Sequence, residues 1–318
     1  MSYSRRAPSK LLIVLAFCGV YFCWSATYTV MRIGVEMLPA TVFAGVRMLC
    51  AGGLMLGFCI LLRKRIWFAR PVMGRLVLLG VLLLFGGNIG LAWSEEYLPS
   101  GLAALIVAVV PLYVAVIELM SLRGDRLRKQ GYVGLGLGFC AMIALLWPSL
   151  RVGLSGHPMQ AVAIAAILAG AFSWAYGSVL SRRMNLAVDP LVAAGWEMSA
   201  AGLANVLWAT VFWRWPHAVW NWRSVSCIAF MILFGSLLGF TSYIWLISHV
   251  PVSKVSTYAY VNPMLAVLLG VVFLGEKLEP TEMVGMVAIL ASVALVSLSK
   301  VRGGVQNQEE TVAVESQA

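Results

Sequence analysis

Long apolar stretches separated by short polar loops run along nearly the whole chain. A helix needs about 20 apolar residues to cross a hydrocarbon core of roughly 30 Å, and ten stretches are suited to this. They are residues 11–31, 39–62, 73–94, 99–120, 130–148, 157–179, 190–213, 224–247, 252–274 and 280–299. The pattern predicts an all-α polytopic membrane protein with ten transmembrane helices, called spans 1 to 10. Residues 1–10 then form a cytoplasmic N-terminus, and the polar residues 301–318 a disordered cytoplasmic tail.

The second half of the chain repeats the first with a shift of about 150 residues. Pro99 and Pro111 recur as Pro251 and Pro263, and several glycine-containing pairs recur in the same way. Each repeat has five spans, an odd number, so the second repeat enters the membrane from the opposite side. We therefore expect two inverted five-helix repeats, at residues 11–148 and 157–300. Many secondary transporters are built in this way, with a central site that opens to each side in turn.

Composition and charge agree with a membrane protein. Hydrophobic residues make up 61% of the chain and charged residues 11%, whereas a soluble domain is roughly 25% charged. The net charge of +10 is unevenly placed: with a cytoplasmic N-terminus, 17 of the 23 lysines and arginines lie on the cytoplasmic side and 5 lie outside. This bias follows the positive-inside rule. It predicts that both termini are cytoplasmic, and it argues against nucleic acid as a partner.

Two prolines at equivalent positions of the repeats fall near the middles of spans 4 and 9. Pro111 and Pro263 each remove one helical hydrogen bond. In lipid such a gap is tolerated only where protein or a water-filled cavity satisfies the freed carbonyl. Matched interruptions of this kind indicate a binding site near the membrane midplane, and a simple packing kink is the alternative.

Aromatic, hydroxyl and amide side chains lie near these prolines and in neighbouring spans, a mixture suited to binding a small amphipathic molecule. Trp24 and Trp174 are related by a shift of 150 residues. Each aromatic side chain has packing in the core or against lipid as its alternative role. With Pro111 and Pro263, the candidate cavity residues are Trp24, Thr27, Asn88, Tyr113, Trp174, Tyr176, Tyr243, Tyr258, Tyr260 and Asn262.

Ionisable residues inside spans are the candidates for charge recognition. Arg47 and Glu197 occupy the same repeat position with opposite signs, and such a residue at a span centre costs roughly 2.5 to 3.5 kcal/mol on insertion scales. We expect a role in substrate charge recognition or gating; a structural ion pair or snorkelling to the interface is the alternative. Glu95 and Glu96 end span 3 and are candidate proton sites, unless they lie in a solvated loop.

Motifs for other chemistry are missing from the sequence. The chain has neither a G-x-x-x-x-G-K-[ST] phosphate loop nor an H-E-x-x-H zinc pair. We therefore expect no enzyme activity, no cofactor and no metal site. Four G-x-x-x-G pairs predict close helix packing: Gly53 with Gly57, Gly86 with Gly90, Gly134 with Gly138, and Gly235 with Gly239.

Several motifs resemble those of the EamA-type transporters of the drug/metabolite transporter superfamily, over residues 10–300. They are Pro99–Leu105 with Val110-Pro111-Leu112, Ser173–Ser178, Tyr258–Pro263, and Gly275-Glu276. The resemblance implies a ten-helix protein of the bacterial inner membrane that exports amino acids, related metabolites or toxic compounds.

The expected partners are a small-molecule substrate, the lipid bilayer, and a coupling proton or counter-substrate; a homodimer is left open. An uptake permease is the alternative within this class. A membrane sensor or scaffold is the alternative of another class, and it would move no cargo across the membrane.

Overall fold

The computed structural model describes residues 9–120, 126–127, 129–154, 158–255, 258–275, 280–298 and 300–301. Within these residues each predicted span is helical, and the fold is all-α apart from two-residue strands β1 (Arg126–Leu127) and β2 (Lys300–Val301), which pair antiparallel. The helices are α1 (Lys10–Val35), α2 (Ala40–Leu61), α3 (Arg70–Ser94), α4 (Ser100–Leu119), α5 (Lys129–Leu154), α6 (Pro158–Met184), α7 (Pro190–Val211), α8 (Trp222–His249), α9 (Val252–Val255, Tyr258–Leu269 and Gly270–Leu274) and α10 (Pro280–Leu298).

Six of these helices are long and apolar enough to cross a membrane, counted over the described residues: α1, α2, α3, α4, α6 and α8. Shorter apolar helices, Val261–Leu274 and Met283–Val296, lie within α9 and α10. The prediction of an all-helical membrane protein is confirmed, and the count of ten spans stays a prediction. Two boundaries differ from the sequence-based ones. Helix α5 continues to Leu154 where a loop was predicted from residue 149, and Val301 pairs in β2 rather than starting the tail.

Loops gather at two opposite ends of the helices. Residues 36–39, 95–99 and 212–221 form one end, called the Glu96 face, where the Ala40 N–H donates to Glu96 Oε1 (3.4 Å). Residues 62–69, 185–189 and 250–251 form the other end, called the Lys64 face. There Lys64 Nζ and Asp189 Oδ2 form an ion pair at 2.7 Å.

Helices α2 and α7 pack closely and run antiparallel. A Cβ added to Gly52 would lie 2.7 Å from the backbone nitrogen of Ser199, and one added to Gly202 would lie 2.5 Å from that of Leu49. As the residue number increases along α2, the number of the contacting residue on α7 decreases, so the two helices are antiparallel. The packing predicted for Gly53 and Gly57 is not found, because a Cβ at either position would meet no atom within 4 Å.

Helices α5 and α10 form a second close antiparallel pair. A Cβ on Gly134 would lie 2.8 Å from Leu295 Cβ, and the Ser292 hydroxyl donates to the Gly134 carbonyl at 2.7 Å. A Cβ on Gly138 would also collide with Ser292. Here the predicted G-x-x-x-G packing is confirmed.

The two mid-span prolines behave differently. Helix α4 is interrupted at Ala108 and Val109, and it restarts at Val110 with Pro111 in its first turn, where no backbone N–H is needed. Pro263 lies inside the helical stretch Tyr258–Leu269. The predicted interruption is therefore present at Pro111, whereas the helix continues through Pro263.

Wide π-helical turns interrupt several helices near the centre of the molecule. Val81–Gly86 in α3 and Met231–Phe240 in α8 begin at equivalent repeat positions. Further π-helical turns are Gly19–Cys23 in α1 and Gly270–Leu274 in α9. Such turns are rare in proteins overall, and where they occur they often lie at functional sites. The turns of α3 and α8 contribute residues to the cavity described next.

Candidate functional site

A cavity with about 750 Å³ of empty space, counted with its open mouth, extends from the middle of the helices toward the Glu96 face. Helices of both halves of the chain contribute to the wall. The lining residues are Trp24, Thr27, Tyr28, Met31, Arg47, Met48, Leu84, Gly87, Asn88, Leu91, Val107, Val110, Ala171, Trp174, Met198, Gly235, Ser236, Phe240 and Tyr258.

Four aromatic rings pack together at the inner end of the cavity and are called the aromatic cluster: Trp24, Trp174, Tyr243 and Tyr258. The Trp24 ring lies 5.5 Å from Trp174 and 5.2 Å from both Tyr243 and Tyr258, between ring centres. Trp24 Nε1 donates to the Gly235 carbonyl at 3.1 Å, which ties α1 to the π-helical turn of α8. Tyr243, the member of the cluster that does not line the cavity, is buried behind the lining residues.

Hydrogen bonds lock the cluster on its Lys64 side. Trp174 Nε1 donates to the Tyr243 hydroxyl at 3.1 Å, and that hydroxyl lies 2.6 Å from Ser178 Oγ. Ser178 in turn donates to the Trp174 carbonyl at 2.6 Å. Tyr243 and Ser178 are buried, so this closed chain satisfies polar groups that have no access to water.

Arg47 lies in the cavity wall, and only 4% of it is exposed. Its Nη2 donates to Asn88 Oδ1, and its guanidinium carbon lies 5.9 Å from the centre of the Phe43 ring. The Arg47 Nε has no hydrogen-bond partner among the described residues. Buried Glu95 lies within electrostatic range of Arg47 without being a lining residue, and it offsets part of the cost of burying the guanidinium.

Glu197, which has the repeat position of Arg47, lies outside the cavity. It is 1% exposed, and its backbone packs so closely on α3 that a Cβ on Gly80 would lie 2.8 Å from Glu197 Cα. Its Oε2 has no hydrogen-bond partner within the part of the chain that the structure describes. Arg47 and Glu197 form no ion pair with each other there.

The two acidic residues after α3 differ in burial. Glu95 is completely buried, and its backbone carbonyl accepts a hydrogen bond from Arg32 Nη1. Glu96 is half-buried at the Glu96 face. Burial raises the pKa of Glu96, while the Ala40 N–H and the positive charges of Arg214 and Arg32 oppose that rise. The solvated-loop alternative therefore does not describe Glu95.

The predicted cavity residues separate into two groups. Trp24, Thr27, Asn88, Trp174 and Tyr258 line the cavity, and so does Arg47. Tyr243 lies directly behind it in the aromatic cluster. The remaining candidates are not lining residues: Pro111, Tyr113, Tyr176, Asn262 and Pro263. The side chain of Tyr260 lies outside the described part of the structure.

Those remaining candidates have identifiable contacts. Tyr113 packs edge-on against the Phe172 ring at 5.6 Å, and Tyr176 is 44% exposed beside the same ring. Pro111 and Pro263 are buried. In the orientation that satisfies its hydrogen bonds, the Asn262 amide nitrogen donates to the Tyr21 carbonyl at 3.2 Å. Asn262 therefore joins α9 to the π-helical turn of α1.

Several lining residues were not predicted from the sequence. Tyr28 follows Trp24 by one helical turn, a spacing that places both side chains on one face of α1 and that could have identified it. Ser236 comes directly after Gly235, the first glycine of a G-x-x-x-G pair, and this position was its one signal in the sequence. Met31, Met48 and the other apolar lining residues give no signal, because they match the rest of an apolar span.

The described residues contain no group of three or more His, Cys, Asp or Glu side chains placed to hold a metal ion. The polar atoms of the cavity are hydroxyl, amide, indole and guanidinium groups. This arrangement suits recognition of a small organic molecule by hydrogen bonds and charge.

Comparisons with known proteins agree with this picture. A model of the EamA-like transporter family matches residues 11–147 and 161–298. An uncharacterized inner membrane transporter of Escherichia coli (strain K12), YedA, is 37% identical over 287 residues, which are 90% of this chain and 90% of that protein. The uncharacterized transporter YvbV of Bacillus subtilis (strain 168) is 26% identical over 298 residues, covering 91% of this chain and 92% of YvbV.

A crystal structure of a protein with 19% sequence identity has a TM-score of 0.68 to this chain. The match covers 91% of this chain and 98% of that one. At this identity the likeness concerns the fold alone.

Proposed function

The chain belongs to the EamA-like transporter family, and on that premise we propose that it is a secondary transporter working by alternating access. It exports small amphipathic metabolites, such as amino acids, related compounds or drugs, across the bacterial inner membrane. The observation that carries this proposal is the cavity between the two halves. Its lining includes Met31 and Leu91, near the Glu96 ends of α1 and α3, whereas Tyr243 and Ser178 on the other side of the aromatic cluster are buried.

Helix packing supports two inverted five-helix repeats. Helices α2 and α7 pack antiparallel where residues 49–52 meet residues 199–202, and α5 and α10 where residues 134–138 meet residues 292–296. In both pairs the partners are separated by about the repeat shift of 150 residues. Equivalent helices that cross at equivalent points are what a pseudo-two-fold axis in the membrane plane produces.

Equivalent arginines make equivalent contacts on opposite faces. Arg32 donates to the carbonyl of Glu95 after α3, at the Glu96 face. Arg182, 150 residues later, donates to the carbonyls of Ile247 (2.9 Å) and Val250 (3.2 Å) at the end of α8, at the Lys64 face. The same motif thus occurs at both ends of the molecule, as inverted halves require.

The two sides of the aromatic cluster are in different states, which supports alternating access. On the Glu96 side Arg47 and Asn88 line open space, whereas on the Lys64 side Glu197 and Ser178 are buried. In the alternative state the halves exchange roles, so the Lys64 side opens and the Glu96 side closes. Glu197 then acts as the charge-sensing gate, and Glu95 and Glu96 are our candidate sites for a coupling proton.

The orientation in the membrane follows from the distribution of basic residues. We assign the Glu96 face to the outside and the Lys64 face and both termini to the cytoplasm, so that in this proposal the open side of the cavity faces outward. Export is the direction that we propose, and uptake through the same cavity is the second candidate. A counter-substrate could replace the coupling proton without any change in this scheme.

The experiment compares metabolites inside and outside bacterial cells that overproduce the protein. Three forms are used: the wild type, Glu197→Gln, and Glu118→Gln as a matched control near the Lys64 end of α4. We expect a compound that accumulates in the medium with the wild type and with Glu118→Gln, but not with Glu197→Gln. Depletion from the medium would favour uptake. No difference, together with no cargo movement in reconstituted vesicles, would favour a sensor or scaffold.

A further inference from the structure

We propose that Arg47 and Asn88 form a carboxylate-binding subsite, and that the substrate is an organic monocarboxylate without a free amine. This inference rests on the proposed transport function and narrows its substrate class: of the compounds proposed there it keeps organic acids and excludes amino acids. It is carried by three features of the cavity: unmatched donors, the lack of an acidic partner for an ammonium group, and an apolar wall.

The subsite offers hydrogen-bond donors to a ligand. The Arg47 guanidinium has five N–H donors in a planar fork, of which Nη2 is matched by Asn88 Oδ1. Its Nε has no partner among the described residues. Because the Asn88 oxygen is used by that bond, Asn88 has its amide nitrogen left for a ligand. A carboxylate is the group that accepts two parallel bonds from a guanidinium.

The cavity has no matching partner for an ammonium group. Among the described lining residues there is no Asp or Glu side chain, and Arg47 is the one lining residue that is charged at neutral pH. Glu95 already offsets part of the charge of Arg47 and is completely buried outside the wall, and Glu197 is buried beyond the aromatic cluster. An amine or zwitterion would place a desolvated positive charge near Arg47 without an acidic partner in the wall, which is unfavourable.

The rest of the wall fits an apolar body. Methionine, leucine, valine and aromatic side chains make up most of the lining. Methionines such as Met31 and Met48 adapt to ligands of different shape. The cavity therefore combines one anion-binding corner with a mainly apolar wall, which suits a small amphipathic acid.

The first test uses the wild type and two series of probes with matched bodies. One series is indole-3-acetate, indole-3-acetamide, tryptamine and tryptophan; the other is octanoate, octanamide and octylamine. Binding to the purified protein in detergent is measured by titration calorimetry. We expect at least one carboxylate to bind about tenfold or more tightly than its amide, because a hydrogen bond to a charged group is worth about 1.5–3 kcal/mol.

Three outcomes of this test would overturn the proposal. They are equal affinity for the acid and the amide in both series, tighter binding of tryptophan than of indole-3-acetate, and no binding of either carboxylate. Since these measurements need no variant, they stand even if a substitution at Arg47 prevents folding.

The second test assigns the preference to named residues. Arg47→Gln should reduce the affinity for the carboxylate to that for the amide, and leave the amide affinity unchanged. Arg47→Lys keeps the charge and loses the planar fork, so it should retain part of the preference, and Asn88→Ala should weaken it. Glu118→Gln is the matched control. A full acid preference in Arg47→Gln would contradict the proposal.

Binding and transport are read separately, so the two proposals can fail separately. An Arg47-dependent acid preference without movement in vesicles supports the subsite and contradicts the transport function. Transport of neutral or cationic compounds that does not depend on Arg47 supports the transport function and contradicts the subsite.

Discussion

Arg47 and Glu197 occupy equivalent positions of the repeat but have different surroundings. Arg47 faces the cavity, whereas Glu197 is buried on the closed side of the aromatic cluster. When the halves exchange roles as we propose, a carboxylate held by Arg47 meets the acidic counterpart instead. Opposite charges at one repeat position thus favour binding in one state and release in the other, which an exactly symmetric pair would not do.

Glu96 provides a pH-dependent prediction at the residue scale. Burial raises its pKa above the ordinary value of 4.5, so the folded protein favours the protonated form. The stability contributed by this group is complete below the ordinary value and is lost as the pH rises through the raised pKa. We expect Glu96→Gln to remove that loss, so that thermal midpoints in detergent vary less between acid and neutral pH.

The matched control for Glu96 is Glu36→Gln, an exposed position on the same face. A surface substitution of this kind changes stability little, so its pH profile should follow the wild type. An unchanged profile in Glu96→Gln, or a profile that becomes steeper, would show that the burial of Glu96 does not set the pH dependence.

The residue types in the middles of the spans predict part of the cavity lining. They do not predict which side of each helix faces the cavity. Trp174 lines the cavity and Tyr176 does not, because residues two positions apart point to different sides of a helix. In a soluble helix a polar stripe would mark the outer side. Here Phe172 and Tyr176 face outward in an apolar span, so the sequence contains no such mark.

Helices pack closely where a glycine lies at the point of contact. On α2, Gly52 touches the backbone of α7, whereas its neighbour Gly53 faces open space. The two residues share one sequence context and differ by about 100° around the helix. They form a natural pair for separating helix packing from helix propensity.

We predict that Gly52→Ala destabilises the protein by about 1–3 kcal/mol, the usual cost of overpacking. The added Cβ would lie 2.7 Å from the Ser199 backbone nitrogen, so the two helices must separate. Gly53→Ala should be neutral or slightly stabilising, because alanine is the better helix former. Thermal unfolding of both purified variants in detergent measures the difference, and equal midpoints would contradict the assigned α2–α7 contact.

Helix positions follow from the apolar pattern, but their irregularities do not. Pro111 and Pro263 have the same chemistry and equivalent positions, yet only α4 is interrupted. A proline alone does not determine whether a helix is interrupted, because the contacts of neighbouring residues also matter. Beside Pro263, Asn262 makes one such contact with α1. The π-helical turns of α3 and α8 have no composition of their own and were not predicted.

At the scale of the whole molecule, the repeat predicts two states, and in our proposal the structure corresponds to one of them. A protein with two similar halves can close its central cavity on either side. Small differences between the halves determine which side is closed. The hydrogen-bonded chain from Trp174 through Tyr243 to Ser178 is such a difference. In the first half the counterpart of Trp174 is Trp24, which bonds to a backbone carbonyl, and the counterpart of Ser178 is Tyr28. The pattern of the sequence alone does not indicate on which side the cavity is closed.

Removing one bond of that chain should change which face the cavity opens to. Tyr243→Phe loses the hydroxyl that joins Trp174 to Ser178, which is worth about 0.5–1.5 kcal/mol and corresponds to a roughly two- to tenfold shift between two states. The reporter is Ser236→Cys in the cavity wall, in a background whose six cysteines are replaced. A membrane-impermeant maleimide is applied to each side of oriented vesicles.

We expect Tyr243→Phe to speed labelling of the reporter from the Lys64 face and to slow it from the Glu96 face, because the two populations trade against each other. Tyr132→Phe, at an exposed position of α5, should leave both rates unchanged. Faster labelling from both faces would indicate general loosening instead of exchange. Unchanged rates in Tyr243→Phe would show that the hydroxyl chain does not hold the Lys64 side closed, and the asymmetry of the cavity would then depend on helix packing alone.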